Sequence, residues 1–145
     1  MKKAIIFTIP LLVFGICFSQ AENAEKKLEV VTTLFPTYDF SKQIGKAKVR
    51  VSLLLPPGIE PHTFEPKPSD ILKISRADVF IYTGKYMEPW VEDVLKGISN
   101  KNLLVVDASR GIELMTGQDP GHHHGGYDPH VWLDLGNAQI MAETL

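Results

Sequence analysis

Short apolar segments alternate with helical segments along most of this chain, and this alternation limits the possible folds more than any other feature. Four segments rich in Val, Leu and Ile have the character of strands; they cover residues 28–34, 49–55, 79–82 and 103–106. Helical spacing of apolar residues follows over 36–44, from an N-cap at Ser69, and over 89–99. Strands and helices in this rhythm predict an α/β fold with a small parallel sheet flanked by helices.

The first 21 residues have the pattern of a secretory signal peptide. Two lysines precede an apolar stretch over residues 4–16, and small residues lead up to Ala21. This stretch is shorter than the ~20 residues that a membrane-spanning helix needs. Cys17 is alternatively the lipid-modified residue of a lipoprotein, but Ile16 stands where such signals have Gly, Ala or Ser. We therefore predict cleavage after Ala21 and a periplasmic or other extracytoplasmic location, and regard a lipid anchor at Cys17 as the less favoured alternative.

The first candidate ligand is His62, which lies in a proline-rich loop after the second strand. The sequence has only one cysteine, Cys17, so a metal ion in the mature chain must be bound by histidine and carboxylate. Prolines on both sides of His62 restrict its backbone, and a preorganised ligand loses less entropy on binding. Imidazole suits zinc, copper, iron and nickel. The alternative interpretation is a surface histidine beside turn-forming prolines.

The second candidate ligand is His130, which a proline again precedes. Asp128 and Asp134 lie close to it in the sequence. A ligating imidazole usually donates its other N–H to a carboxylate or carbonyl, and either aspartate can serve. The alternative is an ordinary strand residue beside a buried Trp132.

The third candidate is the run His122, His123 and His124, which has glycines on both sides. Short histidine tracts bind metals readily, so we interpret the run as an accessory metal-collecting loop. A solvated loop without a role is the alternative.

In parallel sheets ligands bind beyond the carboxyl ends of the strands, where His62 and His130 are expected. The net charge of -2 and the lack of a basic stripe give no indication of a nucleic-acid partner.

Four motifs carry a family resemblance. They are Val30-Val31-Thr32-Thr33-Leu34-Phe35-Pro36, Pro61-His62-x-Phe64-Glu65-Pro66-x-Pro68-Ser69-Asp70, Ala77-Asp78-Val79-Phe80 and Asp128-Pro129-His130-Val131-Trp132-Leu133-Asp134. With them the chain resembles the solute-binding proteins of bacterial metal-ion ABC transporters, which bind zinc or manganese. The resemblance implies a protein of two α/β lobes joined by one long rigid helix, with the metal between the lobes.

The resemblance also implies roles for particular parts of this chain. His62 and His130 match two metal ligands of the first lobe, which is expected over residues 22–135. Residues 136–145 match the start of the linking helix, and the second lobe is missing, so we expect a fragment. The histidine-rich run is typical of zinc-specific members, which favours zinc and leaves manganese possible. The implied partner is an ABC transporter membrane permease, and we expect a monomer.

Alternative functions remain open beside zinc capture for import. A manganese-specific binding protein and a surface adhesin are the nearest. A secreted zinc hydrolase with Glu65 as general base is less favoured, because no His-Glu-x-x-His helix occurs and the prolines at 66 and 68 exclude a helix there. We therefore expect a binding protein and not an enzyme. Two ligands leave zinc short of its usual four, so we also expect weak binding by this chain.

Overall fold

The computed structural model describes residues 26–116 and 126–145, and within them it has four strands and four α-helices. The strands are β1 (Leu28–Thr32), β2 (Val49–Leu53), β3 (Val79–Tyr82) and β4 (Leu104–Asp107). The helices are α1 (Phe35–Gly45), α2 (Pro68–Ser75), α3 (Val91–Gly97) and α4 (Leu135–Thr144), with 3-10 turns at Lys46–Lys48 and Val131–Leu133. Each predicted strand and helix is present, although several ends differ by one or two residues. The predicted signal peptide, with Cys17, lies outside the described residues.

The four strands form one parallel sheet in the order β2-β1-β3-β4. In the register of β1, Leu28 pairs with Val49 and Val30 pairs with Val79. The chain adds β2 on one side of β1 and then returns to add β3 and β4 on the other side. Since crossovers between parallel strands are right-handed, this reversal places α1 on the opposite face from α2 and α3. The predicted fold class is confirmed.

Each face of the sheet has its own apolar core, because successive side chains of a strand point to opposite faces. Val30 and Val31 show the alternation, since they belong to different cores. The buried residues under α2 and α3 are Val31, Leu54, Leu55, Ile74, Ala77, Phe80 and Val91. Those under α1 and α4 are Val30, Ile81, Ala108, Val131 and Met141. The helices thus close both faces and leave the carboxyl ends of the strands for the connecting loops.

The start of α2 differs from the prediction that Ser69 is its N-cap. The helix begins at Pro68, and Lys67 is the N-cap. Proline is favoured at the first helical position because its missing N–H would have no partner within the helix. The backbone N–H of Lys67 donates to the Asp70 carboxylate at 2.9 Å, so Asp70 closes the first turn.

Within the described part of the chain, no helix is both long enough and apolar enough to span a membrane.

Candidate metal centre

The His62 loop connects β2 to α2 and begins as a continuation of the sheet. The backbone N–H groups of Leu54 and Leu55 donate to Thr32 and Thr33, at 2.8 and 3.2 Å. Prolines then end the pairing, because they have no N–H to donate. The chain turns away from the sheet at Gly58, whose positive φ of 84° suits glycine.

Around His62 the loop is closed by local contacts. A carboxylate oxygen of Glu60 accepts the backbone N–H of His62 at 3.2 Å and lies 3.8 Å from Nε2 of its ring. The indole Nε1–H of Trp90 donates to the carbonyl oxygen of Pro61 at 2.9 Å. The Phe64 ring packs against the Trp90 ring with centroids 5.3 Å apart. The side chain of His62 is only 18% exposed, so it is not the freely solvated histidine of the alternative interpretation.

His130 is held by a short structure that follows β4. An antiparallel bridge joins Thr116 to Tyr127, and the backbone N–H of Asp128 donates to Met115 at 2.9 Å. A 3-10 turn follows His130 directly, and its first residue, Val131, is buried in the core under α4. His130 is therefore not a strand residue. Its position is set by the bridge before it and the buried turn after it.

The two aspartates near His130 have different roles. The Asp128 carboxylate accepts the backbone N–H of His130 at 2.9 Å and contacts Nδ1 of its ring at 2.8 Å. Asp134 is the N-cap of α4, where its carboxylate accepts the N–H of Asn137 at 2.9 Å. Asp128 is thus placed to fix the tautomer of the ring, which leaves Nε2 of His130 for a metal ion.

The two histidines predicted as ligands lie together at the carboxyl edge of the sheet. The ring centroids of His62 and His130 are 6.3 Å apart, and the rings stand nearly perpendicular at 84°. Since a Zn–N bond is about 2.0–2.1 Å, two imidazoles at this separation are close enough to bind one ion after small side-chain movements. Glu60 and Asp128 add two carboxylates near the pair, and their negative charge favours a cation.

The described residues contain no complete metal site. No group of three or more His, Cys, Asp or Glu side chains suited to a metal ion occurs within 26–116 and 126–145. The accessory candidates His122, His123 and His124 lie outside these ranges. The two histidines would supply only two of the four groups that usually bind zinc in proteins.

Beside this pair, the sequence analysis missed a buried carboxyl group. Glu88 is fully buried near the carboxyl ends of β1 and β3. It accepts hydrogen bonds from the Thr33 hydroxyl at 2.5 Å and from the backbone N–H groups of Thr83 and Gly84 at 3.2 and 3.0 Å. Burial raises the pKa of Glu88 from 4.5 to about 7, and the bonds from Thr33, Thr83 and Gly84 oppose that rise. In open α/β sheets the crevice where strand order reverses often binds a ligand. Here the order reverses between β1 and β3, and Glu88 bonds to residues that follow both of these strands.

Comparison with known proteins gives a consistent result. The family model described as zinc-uptake complex component A, periplasmic, matches residues 30–145. The high-affinity zinc uptake system protein ZnuA of Bacillus subtilis is 44% identical over 134 residues, which are 86% of this chain and 42% of that protein. The zinc-binding protein AdcA of Streptococcus pyogenes is 37% identical over 167 residues, spanning all of this chain and 32% of the relative. The chain therefore spans less than half the length of these relatives.

Solved structures agree with the sequence relatives. The metal-dependent lipoprotein YcdH from Bacillus subtilis superposes with a TM-score of 0.73 at 45% identity, over 81% of this chain and 42% of that one. Zn(II)-bound AdcA from Streptococcus pneumoniae superposes with a TM-score of 0.72 at 38% identity, over 82% of this chain and 25% of that one. Both the sequence match and the shared fold lead to one conclusion: the chain belongs to the family of the periplasmic component A of zinc-uptake complexes.

Proposed function

We propose that this chain provides one half of a zinc site in an exported solute-binding protein that delivers zinc to the membrane permease of an ABC importer. The observation that carries the proposal is the convergence of His62 and His130, whose ring centroids lie 6.3 Å apart at the carboxyl edge of the sheet. Two distant loops of a chain this small bring two imidazoles together, while Asp128 fixes the ring of one of them. This arrangement suits capture of a cation.

Zinc is the cargo that the ligand chemistry and the relatives favour. Zinc binds imidazole well, whereas manganese prefers sites with more oxygen ligands. Several relatives are called zinc-binding or zinc-uptake proteins, and a similar structure is called Zn(II)-bound. We propose that His122, His123 and His124 form an accessory site that collects zinc near the main one. A manganese-specific protein or a surface adhesin is the alternative for the whole protein.

We further propose that residues 22–135 form the first lobe of a two-lobed protein and that α4 begins the helix that links the lobes. The open coordination of the histidine pair requires further ligands from elsewhere. Large apolar side chains close to the histidines in sequence are exposed, with Ile59 46%, Leu133 75% and Leu135 88% accessible. Large apolar side chains exposed in this way favour a surface that another part of the protein covers. Less than half of each relative's length is matched here, which leaves room for such a lobe.

Export by the signal peptide at residues 1–21 belongs to the same proposal. The family is described as periplasmic, which agrees with a secreted chain. Two relatives are called lipoproteins, so a lipid anchor at Cys17 gains support as the alternative to cleavage after Ala21. Mass spectrometry of the N-terminus of the exported protein distinguishes the two. A free Glu22 N-terminus supports cleavage, and a lipid-modified Cys17 N-terminus supports the anchor.

We propose binding and not catalysis as the activity. The family is one of transport components, and the hydrolase alternative depended on Glu65 as a base beside the metal. Glu65 is exposed to solvent, where a carboxylate keeps its hydration and does not hold a metal-bound water in a dry site. The function of the site is therefore to hold an ion and release it to the next protein.

Zinc titration of this chain and its histidine variants tests the proposal. All proteins carry alanine at 122–124, so that only the main site is measured, and a chromophoric chelator reports the free zinc. We expect His62→Ala and His130→Ala each to lower the affinity at least tenfold, since each removes one of two ligands. Glu113→Gln, which changes an exposed residue away from the pair in sequence, is the control and keeps the affinity of the parent. Equal affinity in the parent and both histidine variants would contradict the proposed site.

A further inference from the structure

The indole of Trp90 connects the start of α3 to the loop that carries His62. We propose that Trp90 is a positioning residue for zinc binding, which holds the His62 loop in its binding geometry through the hydrogen bond from its indole Nε1–H to the carbonyl oxygen of Pro61. The proposal rests on the proposed function, since it requires His62 to be a zinc ligand. Trp90 itself does not bind the ion.

Trp90 contacts the loop on both sides of His62. Its Nε1–H donates to the residue before the histidine, Pro61, at 2.9 Å. Its ring packs against Phe64, two residues after the histidine, with centroids 5.3 Å apart and planes at 63°. Because only His62 and Thr63 lie between Pro61 and Phe64, these two contacts limit where the His62 backbone can lie. A loop fixed in this way loses less entropy when an ion binds.

Trp90 is itself held by the buried Glu88. The Glu88 carboxylate binds the backbone N–H groups of Thr83 and Gly84 at the end of β3, and its backbone N–H donates to the carbonyl of Gly84 at 2.9 Å. On the other side of Trp90, Val91 is fully buried, and its N–H donates to the carbonyl of Glu88 at 3.1 Å. The indole therefore extends toward the loop from a backbone that is anchored before and after it.

The contacts at the two histidines differ. Both histidines follow an acid-Pro-His pattern, Glu60-Pro61-His62 and Asp128-Pro129-His130. Asp128 lies 2.8 Å from Nδ1 of the His130 ring, whereas Glu60 lies 3.8 Å from Nε2 of the His62 ring and is 61% exposed. The contact of 2.8 Å is within hydrogen-bond distance and places Asp128 to orient the His130 ring. Trp90 acts on the His62 loop at a different point, through the carbonyl oxygen of Pro61 and the ring of Phe64.

Trp90→Phe in the full chain tests the proposal, because it keeps a ring against Phe64 and removes the N–H. With alanine at 122–124, we expect zinc affinity to fall about tenfold, which is the lower range for loss of a group that orients a ligand. The matched control is Tyr82→Phe, which removes the hydroxyl that donates to Asp107 at 3.3 Å and also keeps its ring. The control leaves zinc affinity as in the parent. Far-UV circular dichroism establishes that each variant is folded.

Combination with His62→Ala separates positioning from a general structural effect. If Trp90 acts through His62, Trp90→Phe lowers the affinity of the parent but not the weak residual affinity of His62→Ala, measured by NMR titration with zinc. An equal loss in both backgrounds, or no loss in either, overturns the positioning role while the zinc site stands. Full affinity in His62→Ala itself overturns the proposed function and this inference together.

Hydrogen exchange of the Trp90 indole N–H in the parent provides a second measurement that needs no variant to fold. Coupling between two equilibria is reciprocal, so a bond that raises zinc affinity about tenfold is itself stabilised about tenfold when zinc binds. We expect the indole proton of Trp90 to exchange about ten times more slowly with zinc than without it, and more so than that of Trp132 in the same sample. Equal exchange rates of the Trp90 proton in the two states would refute the positioning role.

Discussion

Replacement of Glu88 by glutamine tests how burial affects the charge of this carboxyl group and the stability of the fold. The carboxyl group is fully buried, and burial raises its pKa from 4.5 to about 7. Three hydrogen bonds, from Thr33, Thr83 and Gly84, favour the charged form and lower the pKa, but burial outweighs them. Between about pH 4.5 and 7 the folded chain therefore keeps a proton at Glu88 that the unfolded chain has lost.

The sign and size of the effect on stability follow from this difference. Because the folded pKa is the higher one, the contribution of Glu88 to the free energy of unfolding is complete below pH 4.5 and is lost as the pH rises through about 7. The difference between 4.5 and about 7 corresponds, at about 1.4 kcal/mol for each pKa unit, to a loss of roughly 3 kcal/mol. Glutamine has no proton to lose in this range, so Glu88→Gln does not show the change.

Urea unfolding monitored by far-UV circular dichroism, from pH 4 to pH 8 with a chelator present, measures the effect. We expect the stability of the parent minus that of Glu88→Gln to fall by roughly 3 kcal/mol across this range, whatever constant offset the substitution introduces. The matched control is Glu113→Gln, which makes the same substitution at an exposed residue. A flat difference for Glu88→Gln would show that the three hydrogen bonds, and not burial, determine the charge of this group.

Three further outcomes test the site and the fold. Asp128→Asn replaces the carboxylate that contacts Nδ1 of His130. We expect zinc affinity in a competition titration to fall about 10–100-fold without a change in secondary structure. Unchanged affinity would contradict the role of Asp128 in orienting the His130 ring. Phe80→Ala empties a fully buried position, and urea unfolding should show a loss of about 3–5 kcal/mol; a loss under 1 kcal/mol would mean that the core collapses around the gap. Gly84→Ala places a Cβ 2.6 Å from Oγ of Ser109, so the free energy of unfolding in the same assay should fall by about 1–3 kcal/mol. An unchanged free energy of unfolding would show that Ser109 moves aside without cost.

The parts of the fold that depend on apolar periodicity could be predicted from the sequence. Residues 79–82 are almost wholly apolar, and both Phe80 and Ile81 are buried, as expected for a strand covered on two faces. The convergence of His62 and His130 also followed from the sequence, because loops after parallel strands meet at one edge of the sheet. Helix ends were less accurate: Ser69 was predicted to be a cap, but Pro68 already begins the helix.

Features that depend on tertiary contacts could not be predicted. Asp128 and Asp134 are both near His130 in sequence, and only the bridge before Asp128 and the helix after Asp134 separate their roles. Glu88 comes after Lys85, Tyr86 and Met87 and resembles a surface residue in the sequence, since charged side chains are seldom fully buried. Its hydrogen bonds come from residues that follow β1 and β3, two strands that are adjacent only in the folded sheet.

The bridge between Thr116 and Tyr127 fixes the two ends of the segment that precedes His130. Thr116 pairs with Tyr127, and the backbone N–H of Asp128 bonds to Met115, so both contacts lie just before His130. The entropy of closing a loop grows slowly, by about 0.6 kcal/mol for each doubling of its length. We therefore expect insertions or deletions between 116 and 127 to change the free energy of unfolding only slightly, as long as the bridge and the bond to Met115 are kept.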